Sequence, residues 1–156
     1  MKLRLRNSFA MTVPAAYAML TDPAFAQAVA RASRPLSFDV QADGLCLRTR
    51  RTLSASDSVL RALAGPTVTI IDEIAWDPPS GAEHTGHASV RVERLPGGLS
   101  ARIRLHAGGP GALLDYDGRL DVTVPVIGSA IERQAAPLLR HAIALQQQVA
   151  DTWGKG

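Results

Sequence analysis

The residue best placed for chemistry is Asp72, a carboxylate in the apolar phase of an alternating segment. It lies between Ile70 and Ile74, where burying a carboxylate is costly unless the group is paired. An acid facing a cavity there would have a raised pKa and could orient or protonate a ligand. The alternative is a bulge or register shift, indicated by the neighbouring Ile71, that turns Asp72 to solvent.

Arg51 and His141 are the other ionisable candidates for the same interior. Arg51 follows Leu47 and Thr49 in the same alternating phase, so it is expected on the same face of the strand. It is either a cavity cation or a strand-end residue in contact with solvent. His141 lies at the edge of a helical apolar stripe, where it either contacts a ligand or caps a packing seam. Acid–base catalysis needs at least two such groups in one pocket. No catalytic motif accompanies them, so no residue is assigned a catalytic role.

Three aromatic residues share the apolar phases of their elements and carry polar tips that could position a ligand: Tyr17, Trp76 and Tyr116. They could equally be core residues with their tips at the surface. With the apolar residues of the same faces, the predicted ligand-binding set is Tyr17, Asp72, Ile74, Trp76, Tyr116, Leu138, His141 and Leu145.

The remaining candidates favour ordinary structural roles. His84 and His87 are three apart, so on a strand they point to opposite faces, and a solvated loop before a strand is the simpler expectation. The glycine-rich stretch 108–111 follows one predicted strand and precedes another, so it predicts a hairpin rather than a phosphate loop. Cys46 has no histidine at a recognisable spacing and favours packing. We predict no metal and no cofactor.

The elements that position these residues are predicted from hydrophobic periodicity. Period-two alternation predicts seven strands, at 2–9, 36–41, 45–50, 68–76, 88–92, 99–105 and 113–124. Helical spacing predicts short helices at 13–20 and from Pro23 to about Ala32, and residues 56–64 are a short helix or a loop. From Ser129, about 25 residues have an apolar stripe of Ile131, Ala135, Leu138, Ala142, Leu145 and Val149, with Pro137 expected to kink the helix. Nothing divides the chain, so residues 1–156 are predicted to be one domain.

Four short stretches carry a resemblance to a known family: Leu20-Thr21-Asp22-Pro23-Ala24-Phe25, Arg51-Thr52-Leu53, Glu73-Ile74-Ala75-Trp76, and Val124 to Gly128 leading to Ile131-Glu132. With the order of elements, they resemble the START-like (SRPBCC) superfamily, which includes birch-pollen-allergen-like proteins, and within it the bacterial domain-of-unknown-function family 2505. The resemblance implies an α+β helix-grip fold, in which a curved antiparallel sheet wraps a long C-terminal helix. It also implies a cavity between sheet and helix that takes apolar small molecules.

The composition restricts the partners. The net charge is +3, but the positive residues are dispersed, and all 17 are arginine except Lys2 and Lys155, so we expect no nucleic-acid partner. No apolar run reaches the ~18 to 20 residues of a membrane span. The lone Cys46 and an N-terminus without a signal sequence indicate a cytoplasmic protein. The oligomeric state has no signal in the sequence.

Two functions from different classes remain. The first is a non-catalytic protein that binds a lipid, isoprenoid or polyketide-like molecule in the cavity, and the pattern favours it. The alternative is an enzyme of the cyclase, dehydratase or hydrolase kind, which would use Asp72, Arg51 and His141 in the same cavity.

Overall fold

The computed structural model describes residues 1–55, 61–62 and 65–154. Within these ranges the chain forms one curved antiparallel sheet of seven strands and three helices, so the predicted helix-grip fold is confirmed. The strands are β1 (Lys2–Phe9), β2 (Ser37–Asp43), β3 (Cys46–Ser54), β4 (Thr67–Trp76), β5 (His84–Val92), β6 (Gly97–Gly108) and β7 (Gly111–Val122). The helices are α1 (Val13–Leu20), α2 (Pro23–Ala32) and α3 (Gly128–Thr152). Most of the predicted segment 56–64 lies outside the described residues.

The strands are hydrogen-bonded in the order β1-β7-β6-β5-β4-β3-β2. Because side chains alternate between the two faces of a strand, the register separates an inner face from an outer face. One inner row shows the pattern, running across the sheet through Leu5, Tyr116, Ile103, Gly86 and Trp76. The outer face carries the exposed arginines at positions 4, 6, 48, 50, 91, 102 and 104.

Local capping explains where the two short helices begin. The Thr12 side chain accepts a hydrogen bond from the Ala15 backbone, and Asp22 accepts one from Ala24 at 2.9 Å. Each helix also has a proline in its first turn, where the missing N–H has no intrahelical partner to lose. The two helices therefore form in tandem between β1 and β2.

The long helix α3 lies on one side of the inner face. It packs mainly against β1, β7 and α2, whereas α2 also packs against β2 and β3. The main core lies beneath these contacts, around Phe9, Leu105 and Leu114, which are almost completely buried. The inner face of β3–β5 therefore lies between α2 and α3, whereas the inner face of β1 and β7 packs directly against α3.

The predicted stripe of α3 is only partly the buried one. Ile131 is buried as expected, but Leu138 has 56% of its surface exposed, and Ala136 and Ala150 are buried instead. Leu139 and Ile143 pack against the core clusters. The side of α3 that contacts the sheet is therefore turned away from Leu138. The sequence could not predict this, because the periodicity of a helix with two apolar sides does not identify which side is buried.

Candidate functional site

Asp72 and Arg51 form an ion pair on the inner face of the sheet. Asp72 pairs with Thr49 and with Val90 in an uninterrupted ladder, so the alternative of a bulge that turns it outward is wrong. The Arg51 Nη2 atom lies 3.0 Å from Asp72 Oδ2. The arginine side chain is 11% exposed and the carboxylate side chain 30% exposed. Two of the three ionisable candidates thus meet in the predicted interior.

Burial and the ion pair act on Asp72 in opposite directions. Desolvation raises the pKa of the Asp72 carboxyl, and the charge and hydrogen bonding of Arg51 lower it by a smaller amount, so the pKa is above its usual range. The Arg51 Nε atom is buried and has no hydrogen-bond partner among the described residues. This pair therefore retains hydrogen-bonding capacity that the described protein groups do not use.

Ile71, which indicated a possible register shift, is on the outer face and yet only 3% exposed. Arg50 and Arg91 flank it in the ladder. Long arginine side chains cover apolar surface with their methylene groups while the charged end stays in water. The burial of Ile71 is therefore compatible with a regular strand, and Asp72 keeps its inward direction.

A polar network fixes Tyr116 beneath α3. The Tyr116 hydroxyl donates a hydrogen bond to Gln146 Oε1 at 3.0 Å, and the same oxygen accepts one from Asn7 Nδ2 at 2.7 Å. Asn7 also donates to the Ile143 carbonyl at 3.0 Å. Burial raises the pKa of Tyr116 to about 12, with the Gln146 hydrogen bond lowering it and the Asp72 charge raising it by smaller amounts. The Tyr116 hydroxyl thus stays neutral and holds α3 against β7.

Asn7 and Gln146 belong to this network but are not among the candidates predicted from the sequence. Asn7 is 3% exposed and occupies the apolar phase of β1. This is the same signal that identified Asp72, so it was available in the sequence. Gln146 has no comparable signal, because its position on the contact side of α3 depends on the rotation of the helix.

Tyr17 of α1 forms an aromatic cluster with Trp76 and His84 of the inner face. The Tyr17 and His84 rings are stacked, with centroids 3.6 Å apart, and the edge of Tyr17 meets Trp76 at 5.3 Å. Three of their polar atoms are buried without a hydrogen-bond partner among the described residues: the Tyr17 hydroxyl, Trp76 Nε1 and His84 Nδ1. Buried polar atoms of this kind are normally satisfied by protein, water or a bound molecule.

His84 and His87 point to opposite faces of the sheet, as their spacing predicts. Both belong to β5, so the expectation of a solvated loop is wrong. His84 stacks on Tyr17, whereas His87 Nε2 lies 2.8 Å from the Ser100 hydroxyl on the outer face. Among the described residues no cluster of three metal-ligating side chains exists.

The three candidates on α3 have different surroundings. Leu145 is half-buried, whereas Leu138 and His141 are exposed. Gln147 marks the side of α3 that faces the free edge of the sheet, because its Oε1 accepts a hydrogen bond from the Ser8 backbone of β1. Leu138 is nine residues from Gln147, which at roughly 100° per residue is the opposite side of the helix. Leu138 is therefore on the side directed toward the other strands, and His141 lies further round toward solvent.

The inner face between α2 and α3 has an apolar floor that is not fully covered. We call this region the inner groove and define it by six residues that are all half-buried: Thr49, Arg51, Ile70, Asp72, Ile74 and Val90. Ile74 also packs against the main core, and Val90 packs against a smaller one. The groove thus combines apolar side chains with a single ion pair.

Two open recesses lie outside the inner groove. One, of about 500 Å³, is bounded by the start of α1, His84 and the β6–β7 hairpin. The other, of about 610 Å³, lies between α1 and the end of α3, near Met19 and Trp153. The hairpin predicted from the glycines at 108–111 is confirmed, and it forms one wall of the first recess.

None of the helices in the described ranges is long and apolar enough to cross a membrane.

The fold is similar to that of solved structures at low sequence identity. A START superfamily protein from Mycobacterium smegmatis has 15% identity and a TM-score of 0.54, over 95% of this chain and 94% of its own. A protein from Thermus thermophilus has 13% identity and a TM-score of 0.65, over 96% and 94%. The ZhuI aromatase/cyclase of Streptomyces sp. R1128 has 9% identity and a TM-score of 0.59, over 96% and 90%.

These similarities establish a START-like helix-grip fold and carry no statement about the ligand. A comparison with curated proteins finds no match. The model of the family described as "Protein of unknown function (DUF2505)" matches residues 4–153, and the chain therefore belongs to that family.

Proposed function

We propose that this protein binds an apolar small molecule, of the lipid, isoprenoid or polyketide-like class, in the inner groove and without chemical conversion. The observation that carries the proposal is that Ile70, Ile74 and Val90 on the groove floor are only half-buried. Apolar surface left in contact with water disfavours the unliganded state by about 25 cal/mol per Å² relative to a covered one. A bound apolar molecule would remove that surface from water.

The helix α3 supports the same proposal from the other side of the groove. Leu138 is 56% exposed on the side of α3 that is directed toward the uncovered strands. Leu145 lies seven residues later, on the same side of the helix, and is half-buried. An apolar strand face and an apolar helix side would thus bound the proposed site, which is the usual composition of a ligand site.

A second function, catalysis by an enzyme of the cyclase kind, is favoured by one observation. Asp72 is an inward acid whose pKa is raised, as acid–base catalysis requires. Its partner Arg51 is present, but His141 is exposed on α3 and does not join the pair. One neighbouring structure is an aromatase/cyclase, and that activity is a property of the neighbour. Binding therefore remains the first proposal.

The first experiment compares native and denaturing mass spectra of the protein purified from a bacterial host. We expect an excess mass in the native spectrum that is lost on denaturation. Solvent extraction should recover the small molecule responsible for it. Titration of the extracted protein with Nile red, a neutral dye whose fluorescence rises in apolar surroundings, provides a second measurement. Binding of neither an endogenous molecule nor the dye would refute the proposed function.

A pair of adjacent substitutions tests whether the inner groove is the site. Val90→Trp places a large ring on the groove floor, whereas Arg91→Trp places the same ring on the outer face, where Arg91 is exposed. We expect Val90→Trp to abolish Nile red binding and Arg91→Trp to retain it. Equal binding by both variants would place the site elsewhere.

The lone Cys46 is typical of a reducing compartment, and we propose a cytoplasmic location.

A further inference from the structure

The ion pair supplies the only charges among the six residues that define the inner groove. Arg51 and Asp72 are the two charged members, and the others are Thr49 and three aliphatic residues. When Asp72 is ionised the charges of the pair cancel. Within these six residues, a ligand therefore meets a donor and an acceptor of opposite charge side by side, while Arg31 of α2 lies over Phe38, the neighbour of Arg51 in the ladder.

Both members of the pair keep unused hydrogen-bonding capacity. Arg51 contacts Asp72 through Nη2, while its buried Nε has no partner among the described residues. The Asp72 side chain is 30% exposed, and a carboxylate has about four lone-pair sites, of which the contact at Oδ2 uses a fraction. The Tyr116 hydroxyl, by contrast, already donates to Gln146. Among the six residues, the pair thus supplies the charged polar groups, and the Thr49 hydroxyl supplies an uncharged one.

The chemistry of the pair discriminates between classes of polar end group. A carboxylate or phosphate would be attracted by Arg51 and repelled by Asp72 at nearly the same distance. An ammonium group would meet the reverse arrangement. A neutral hydroxyl satisfies both, because it donates its proton to the carboxylate and accepts from the guanidinium.

We propose that the Arg51–Asp72 pair recognises the hydroxyl group of a neutral amphipathic alcohol or phenol whose apolar part occupies the inner groove. This inference rests on the proposed function and specifies its ligand class. It excludes fatty-acid-like anions and long-chain amines as the preferred ligands.

The test measures displacement of Nile red at pH 7.5 by four probes with the same decyl chain: 1-decanol, decyl methyl ether, decanoate and decylammonium. The alcohol and its ether differ in one donated hydrogen bond, and a purely apolar groove would prefer the ether because it is the less polar. We expect decanol to bind about tenfold more tightly than the ether, the size of one hydrogen bond to a charged group. Decanoate and decylammonium should bind more weakly than decanol.

The double variant Arg51→Met/Asp72→Leu provides the matched control, since it replaces the pair by apolar residues of similar volume. It should retain Nile red and now prefer the ether over decanol. If wild-type protein binds Nile red but prefers the ether, decanoate or decylammonium, the inference about the hydroxyl group is wrong while the proposed function stands. If wild-type protein binds neither the dye nor any probe, the proposed function itself fails. The wild-type comparison is decisive even if the double variant does not fold.

Discussion

The substitution Arg51→Met should destabilise the protein in a pH-dependent way. It leaves the Asp72 carboxylate on the inner face without its counter-ion. Removing one partner of a buried ion pair typically costs about 3–5 kcal/mol. Because the Asp72 side chain is 30% exposed and keeps contact with water, we expect roughly half of this, about 2 kcal/mol at pH 8. For a chain of this size that corresponds to a fall in Tm of about 4–8 °C.

The sign of the pH dependence follows from the direction of the pKa. Burial holds the pKa of Asp72 above its usual value, and Arg51 opposes that rise, so removing Arg51 raises the pKa further. A carboxyl whose folded-state pKa is raised contributes no penalty below its unfolded value, and stability is lost as the pH rises through the folded-state pKa. The destabilisation by Arg51→Met should therefore be largest at pH 8 and fall below about 1 kcal/mol near pH 4.5.

Urea unfolding of wild type and variant at both pH values measures this difference. Arg50→Met is the matched control, since the neighbouring Arg50 is 54% exposed on the outer face and pairs with Glu93. An exposed ion pair contributes about 0–1 kcal/mol, so this control should change little at either pH. A loss for Arg51→Met that is equal at pH 4.5 and pH 8, or absent at both, would show that Asp72 is not a buried carboxylate.

Three further predictions concern the scaffold. In an ultraviolet titration Tyr116, one of the two tyrosines, should ionise only near pH 12, and Tyr116→Phe should remove that late transition. If Tyr116→Phe instead removes a transition near pH 10, the Tyr116 ring is hydrated. Asn7→Ala should reduce the free energy of unfolding by about 2 kcal/mol in urea, because Gln146 loses one of its partners beneath α3; a change within about 0.5 kcal/mol would show that the network is not needed. Gly118→Ala should lower the Tm sharply or prevent folding, because a Cβ atom there would overlap the Ser100 carbonyl oxygen; unchanged thermal unfolding would contradict the close approach of β6 and β7.

The strands and their faces could be predicted from the sequence because the sheet is regular. Alternation places Asp72 and Arg51 on the inner face, and the structure agrees. The contact between them could not be predicted, because it depends on the register of β3 against β4, in which Arg51 is opposite Ile70. Periodicity determines which face of a strand a residue is on. The register of β3 against β4 depends instead on the connection between the two strands, which includes residues 56–64.

His84 and Leu138 show two other limits of the pattern. The sequence predicts a loop at His84 because the alternation of β5 is clear only from Ala88, and polar residues precede it. It predicts that Leu138 shares one inward-facing side of the helix with Ile131, because this residue continues the apolar stripe. The stripe of α3 is wide enough to supply two sides, and only the contacts with β1 and β7 determine which side is buried.

The second apolar side of α3 is the strongest reason to regard the inner groove as a binding surface rather than a loosely packed core. A helix that served only to close the sheet would be polar outside its contact side, yet Leu138 and Leu145 lie on the side directed toward the other strands. The strand face toward which they are directed is also apolar and half-buried, apart from an ion pair whose own hydrogen-bonding capacity is incompletely used. Exposed Leu138 alone would be ordinary, since single apolar residues are common on surfaces. The proposed guest, with an apolar body and one uncharged polar group, would cover both apolar surfaces and use the hydrogen-bonding capacity of the pair.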